Sequence, residues 1–110
     1  MTGGSPIVDL RFSATRSETG TVLAVAGELD IATADQFLAA VREHLAAAPV
    51  RLDLRKLTFI DSSGVRALSR VVREAEAEGW ALAVDARLAE NVRQLLELTG
   101  LLSLLPLEAR

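Results

Sequence analysis

A repeated switch in hydrophobic period constrains this chain more than any other feature. From Pro6 the apolar residues alternate: Val8, Leu10 and Phe12 fall on one side, Asp9, Arg11 and Ser13 on the other. That is the period of a half-buried strand. Arg16 to Gly20 supplies turn residues, and Thr21 to Ala26 reads as a more continuous apolar strand, so the two make an N-terminal hairpin. The period then changes. Phe37, Leu38, Val41 and Leu45 recur at helical spacing up to about Ala47, and Pro49 ends the run. Thr33 followed by Gln36 predicts a capping box at its start. Val50, Leu52 and Leu54 alternate with Arg51 and Asp53 directly afterwards. A helix that yields to a strand across so short a gap marks an α/β chain.

The same switch recurs downstream. Asp61-Ser62-Ser63-Gly64 opens a second helix whose apolar stripe is Val65, Leu68, Val71, Val72 and Ala75, with Gly79 placed for a left-handed C-cap. Trp80 to Val84 reads as a short strand. Leu88, Val92, Leu95 and Leu96 then mark a third helix ending at Gly100. The tail, Leu101 to Leu107, is a last strand or an apolar packing segment, and Pro106 argues against a central strand there. The predicted fold class is α/β: a small mixed sheet, the N-terminal hairpin plus parallel strands, with three to four helices packed mainly on one face. The opposite face then needs blunting, and Leu101 to Leu107 is the apolar segment suited to cover it.

The 110 residues predict one domain, 1–110, with residues 1–5 frayed. At this size about 65% of the unfolded surface is buried, enough for a core without staples. Half of the residues are hydrophobic and only 4% aromatic, so the core is aliphatic. The absence of cysteine excludes disulfides, thiolate metal sites and cysteine nucleophiles, and His44, the single histidine, excludes a zinc site built on several imidazoles. A net charge of −3 without a basic stripe gives no electrostatic footprint for non-specific nucleic-acid binding. Mean hydropathy is high at +0.29, yet apolar runs such as Val22 to Ala26 and Leu45 to Val50 are short. A membrane span needs about 18 residues, so no membrane insertion is expected. The N-terminus lacks a basic segment followed by an apolar one, so no signal peptide is read and the cytoplasm is the default location.

No nucleophile elbow, phosphate-binding glycine loop or HExxH motif is present, and His44 reads as a flank residue of the first helix. Glu74, Glu76 and Glu78 read as a solvated helix face, with Arg70 and Glu74 at i,i+4 spacing. No enzyme activity, cofactor or metal is expected. Asp61-Ser62-Ser63-Gly64 is the feature that stands apart, because it joins a strand to a helix at the edge where open α/β sheets present ligands. The helix dipole favours an anion there. Plain N-capping explains the same residue types, and residue chemistry alone leaves both readings open.

Thr58-Phe59-Ile60-Asp61-Ser62-Ser63-Gly64-Val65 resembles the signature of STAS domains, particularly bacterial anti-sigma factor antagonists. Gly27-Glu28-Leu29-Asp30 and Thr99-Gly100-Leu101 resemble two further landmarks, in order, and the likeness runs from about Pro6 to Leu107. The resemblance implies a partner switch. An anti-sigma factor that is an ATP-dependent serine kinase phosphorylates the serine after the aspartate, here Ser62, with Ser63 the lesser candidate. The unphosphorylated antagonist binds that kinase and frees the sigma factor, and a PP2C-type phosphatase restores binding. The implied partner-binding residues are Asp30, Asp61, Ser62, Ser63, Gly64 and Arg66. Asp30 either borders the serine loop or makes the turn before the first helix. Asp61 either caps the second helix or is read by the kinase. Gly64 either admits a partner's backbone or relieves crowding in the first turn. Arg66, four residues after Ser62, either holds the phosphate or is solvated. The resemblance also fits a STAS subunit of a lipid-transport ABC complex or a stress-signalling scaffold.

Overall fold

In the computed structural model, which describes residues 10–109, β1 (Leu10–Ser17) pairs antiparallel with β2 (Gly20–Leu29). The register runs from Leu10 opposite Gly27 to Ser17 opposite Gly20. The predicted strand residues Pro6, Val8 and Asp9, and the predicted fraying of 1–5, lie outside the described residues. Gly20 has a φ of +141°, and a Cβ there would stand 2.6 Å from the Pro49 carbonyl oxygen, so the turn requires glycine.

Helix α1 (Ala34–Ala47) buries Phe37, Leu38, Val41 and Leu45, the four positions its period marked. His44 is half-buried in its last turn. The predicted capping box does not form. Thr33 instead donates its hydroxyl to the Glu28 carbonyl at 2.8 Å and accepts the Asp30 N–H at 3.0 Å, while Gln36 reaches the Leu10 carbonyl at 3.4 Å. The end of β2 and the turn after it offer partners to Thr33, and the start of β1 offers one to Gln36, so these contacts replace the box.

β3 (Val50–Asp53) lies parallel to β2, from Thr21 opposite Val50 to Ala24 opposite Asp53. A second short strand, β4 (Leu57–Ile60), pairs with the same strand further along, also in parallel. The sequence reading contains no strand here. β3 and β4 share one partner in succession, with a register shift between Gly27 and Glu28, and the irregularity breaks the alternation that would reveal a strand. Helix α2 (Ser62–Glu78) follows and ends on Gly79 at φ +74°, where the Trp80 N–H donates to the Ala75 carbonyl at 2.9 Å. β5 (Leu82–Asp85), α3 (Glu90–Leu98), a 3-10 turn (Leu102–Leu104) and β6 (Leu107–Glu108) complete the chain. The sheet order is β1-β2-β3-β5-β6, with β4 on β2. Pro106 precedes a two-residue edge strand, as its missing N–H requires.

One hydrophobic cluster joins the inward residues of the sheet to all three helices. Leu101 and Leu105 belong to it, and Leu104 lies beside Val72 and Glu76 of α2. The tail therefore packs on the helical side and does not cover the opposite face, contrary to the expectation from its hydrophobicity. That face is blunted by small residues and by paired charges. Ala24 and Ala26 of β2 lie on it with Arg51, Asp53 and Asp85. The Asp53 carboxylate is gripped by Arg55 at 2.9–3.0 Å, the Asp85 carboxylate by Arg87 at 2.6–2.9 Å, and Arg51 pairs with Glu108. Hydrogen bonds from the Arg87 side chain hold the Asp85 carboxyl well below the usual carboxylate range, against the opposing effect of its burial.

Candidate functional site

The end of β4 delivers the chain directly into α2, beside the end of β2. The Asp61 N–H donates to the Leu29 carbonyl at 3.2 Å, and its carboxylate accepts the Gly64 N–H at 2.9 Å. Asp61 is thus the N-cap of α2. Gly64 is buried, and a Cβ on it would stand 2.4 Å from the Leu29 carbonyl oxygen and 2.7 Å from Ile60 Cγ1. The close approach that glycine permits is made inside the chain, where it seats the helix against the sheet.

With capping assigned to Asp61, the two serines have no structural task in the hydrogen-bond network. Ser62 is exposed and Ser63 half-buried, and neither hydroxyl bonds to any described residue. Ser62 occupies the first position of the helix, where backbone N–H groups lack intrahelical partners and the dipole is positive.

Asp30 lies one residue beyond Leu29, next to this junction. Its carboxylate accepts the N–H groups of Ala32 and Thr33 at 3.0 and 3.1 Å, so it makes the turn into α1. Arg66 is exposed and has no ion pair among the described residues. It lines a shallow groove of about 480 Å³ with Ser62, Val65, Ser69, Arg70 and Arg73. The structure therefore brings Asp61, Ser62, Ser63 and Gly64 together with the Asp30 turn. Arg66 stands one helical turn along the exposed side.

Two residues at this end of the sheet escaped the sequence reading. Ile31, directly after Asp30, is 80% exposed, and Phe59, opposite Glu28, is 42% exposed. An isoleucine inside the polar turn of Asp30 to Asp35 was the available signal for the first. Phe59 stands inside the STAS-like signature, but its exposure was not legible because β4 was not read as a strand. Among the described residues no group of three His, Cys, Asp or Glu side chains gathers to hold a metal ion. No helix of the described residues is long and apolar enough to cross a membrane.

No curated protein matches the chain. Several solved structures do. An anti-sigma factor antagonist from Mycobacterium paratuberculosis superposes with a TM-score of 0.74 at 27% identity, covering 89% of this chain and 84% of that one. The anti-sigma factor antagonist SpoIIAA in its unphosphorylated form gives 0.70 at 23% identity, covering 91% and 88%. The phosphorylated form of SpoIIAA, a Bacillus cell fate determinant, gives 0.65 at 22% identity, covering 91% of each chain. These last two share the fold. The family model described as "Mlab, STAS domain" matches residues 12–106, from the start of the hairpin to the edge of the last strand, and the chain belongs to this STAS domain family.

Proposed function

We propose that this protein is an anti-sigma factor antagonist whose binding is switched by phosphorylation of Ser62. The observation that carries the reading is the division of labour at the start of α2: Asp61 caps the helix, Gly64 seats it, and Ser62 is left exposed. The similarity to an antagonist from Mycobacterium paratuberculosis supports the role. In this reading the unmodified protein binds an anti-sigma factor that is an ATP-dependent serine kinase, in the cytoplasm, and so frees the sigma factor. A PP2C-type phosphatase resets the switch. The chain acts as substrate and ligand, so the reading requires no catalytic group of its own.

The physics of the switch follows from position. A phosphate adds roughly −1.5 to −2 charge and three acceptor oxygens. At the N-terminus of α2 that charge meets the positive end of the helix dipole, which stabilises an anion by about 0.3–1 kcal/mol. The fold therefore tolerates the phosphate. The interface does not, because the partner meets a desolvated charge where it had packed a hydroxyl, and a loss of about 3 kcal/mol is about two decades in affinity.

The test is a pull-down from the native host with the wild type, Ser62→Ala and Ser62→Asp as baits. A small ATP-binding kinase retained by the first two and lost by the third is the expected result. A membrane-transport ATPase retained equally by all three would overturn the reading in favour of a lipid-transport subunit.

A further inference from the structure

We infer that the exposed side of α2 beyond Ser62 is a docking stripe of arginines that receives an acidic segment of the protein partner. The inference rests on the reading of Ser62 as the point of partner contact, and extends it to the chemistry of that partner. The sequence shows no basic stripe in its overall charge, but the helix assembles one. At 3.6 residues per turn, Ser62, Arg66, Ser69, Arg70 and Arg73 fall within a sector of about 100°. All three arginines of that sector are exposed. Together with Val65 they line the groove of about 480 Å³ that begins at Ser62.

The fold uses little of this charge. Arg42 is forked onto Glu74, Arg55 onto Asp53, Arg87 onto Asp85, and Arg51 onto Glu108. Arg66 and Arg73 have no ion pair among the described residues, and Arg70 makes only an exposed contact to Glu74 at 3.4 Å. The arrangement also works against the helix. Arg66 and Arg70 are like charges at i,i+4 spacing, and Arg66 lies near the positive end of the dipole. The guanidinium fork matches carboxylates in a bidentate way. Arg66 and Arg73 are about 10 Å apart along the axis, a span that two carboxylates on neighbouring turns of a partner helix can meet. Glu74, 3.4 Å from Arg70, and Glu76, which lines the adjoining hollow with Ser69 and Arg73, flank the stripe and disfavour a continuous phosphate backbone. The same geometry explains how a phosphate on Ser62 competes with the partner, since Arg66 is one turn away.

The probe is a hexaglutamate peptide titrated into the full chain and followed by amide NMR shifts. Raising the salt from about 0.01 M to about 0.15 M shortens the screening length from about 30 Å to about 8 Å. The expected result is shifts concentrated at residues 62–73 that weaken with salt, and binding about tenfold weaker in Arg66→Gln/Arg73→Gln. Shifts centred on Arg11, Arg55 and Lys56 of the open sheet face, or no shifts at low salt, would overturn the inference. So would an oligonucleotide that binds the stripe more tightly than the peptide. A chain carrying phosphoserine at position 62 separates the two claims. If it binds hexaglutamate as well as the unmodified chain does, the competition fails while the stripe stands. If hexaglutamate never binds but the kinase is retained by the unmodified bait, the stripe fails and the Ser62 switch stands.

Discussion

Two surfaces of this protein are rich in charge and use it in opposite ways. On the open face of the sheet Asp53–Arg55, Asp85–Arg87 and Arg51–Glu108 are closed pairs. On the exposed side of α2, Arg66 and Arg73 have no ion pair among the described residues. The sheet face lacks a covering layer, and the paired charges on β3 and β5 make it unattractive to another sheet. The helix face belongs to an element already anchored by Ala67, Leu68, Val71, Val72 and Ala75. Charge on it is free for an outside partner. Most of the sheet face's charge is tied up in these pairs, and the proposed docking draws on the unpaired arginines of α2.

The comparison presumes that α2 is seated firmly against the sheet, so the harshest way to break it is to unseat the helix. Gly64→Ala places a methyl 2.4 Å from the Leu29 carbonyl oxygen. It should cost about 3 kcal/mol in urea unfolding and disturb the Ser62 end of the molecule first. Equal stability to wild type would show that the junction yields.

On the sheet side, Asp85→Asn should cost about 2 kcal/mol, because a buried carboxylate that accepts three hydrogen bonds from Arg87 is replaced by a neutral amide. It should also change the acid limb of the stability profile. The Asp85 carboxyl titrates lower in the folded chain than unfolded, chiefly through the Arg87 side chain. Its contribution is therefore complete above the unfolded value of about 3.9 and is lost as pH falls from there. Asp53 and Glu74 are lowered in the same direction, by Arg55 and Arg42. Stability measured from neutral pH downward should fall below about pH 4, less steeply in the variant.

Asp61→Ala should cost about 1 kcal/mol, the usual effect of removing a cap, and a null result would return the capping role to Ser62. The smallest effect belongs to the helix surface: Arg66→Gln/Arg73→Gln should leave the melting temperature of the unliganded protein unchanged or slightly raised, since it removes a like-charge pair and a cation near the positive end of the dipole. A clear drop would mean that these side chains support the fold and that the contrast between the two faces is false.

The elements that sequence reading located are those whose evidence is local. The apolar positions of α1 and α2, the glycine stop at Gly79 and the hairpin all follow from spacing and residue type within one segment. The site was legible as a strand-to-helix junction with a serine pair, and its resemblance to the STAS signature gave it an expected role. The division between Asp61 and Ser62 was not legible, since Asp and Ser are interchangeable caps until a distance separates them. β4 was missed because its pairing with β2 is shifted in register. The capping box was predicted and not found, because Glu28, Asp30 and Leu10 reach Thr33 and Gln36 first.

What the sequence determined by itself was the order of the three helices and of the strands other than β4 and β6, the aliphatic core and the location of the serine loop. Each depends on hydrophobic period or on a contiguous motif, and a period is a property of neighbours along the chain. Tertiary structure decided which face the tail packs on and which serine and aspartate share the start of α2. It also decided which arginines find a carboxylate. Arg87 finds Asp85 two residues away and Arg42 finds Glu74 on another helix, while Arg66 finds none among the described residues. Ion pairing depends on a few ångströms of separation, and Arg42 and Glu74 reach it only once both helices are seated on the sheet.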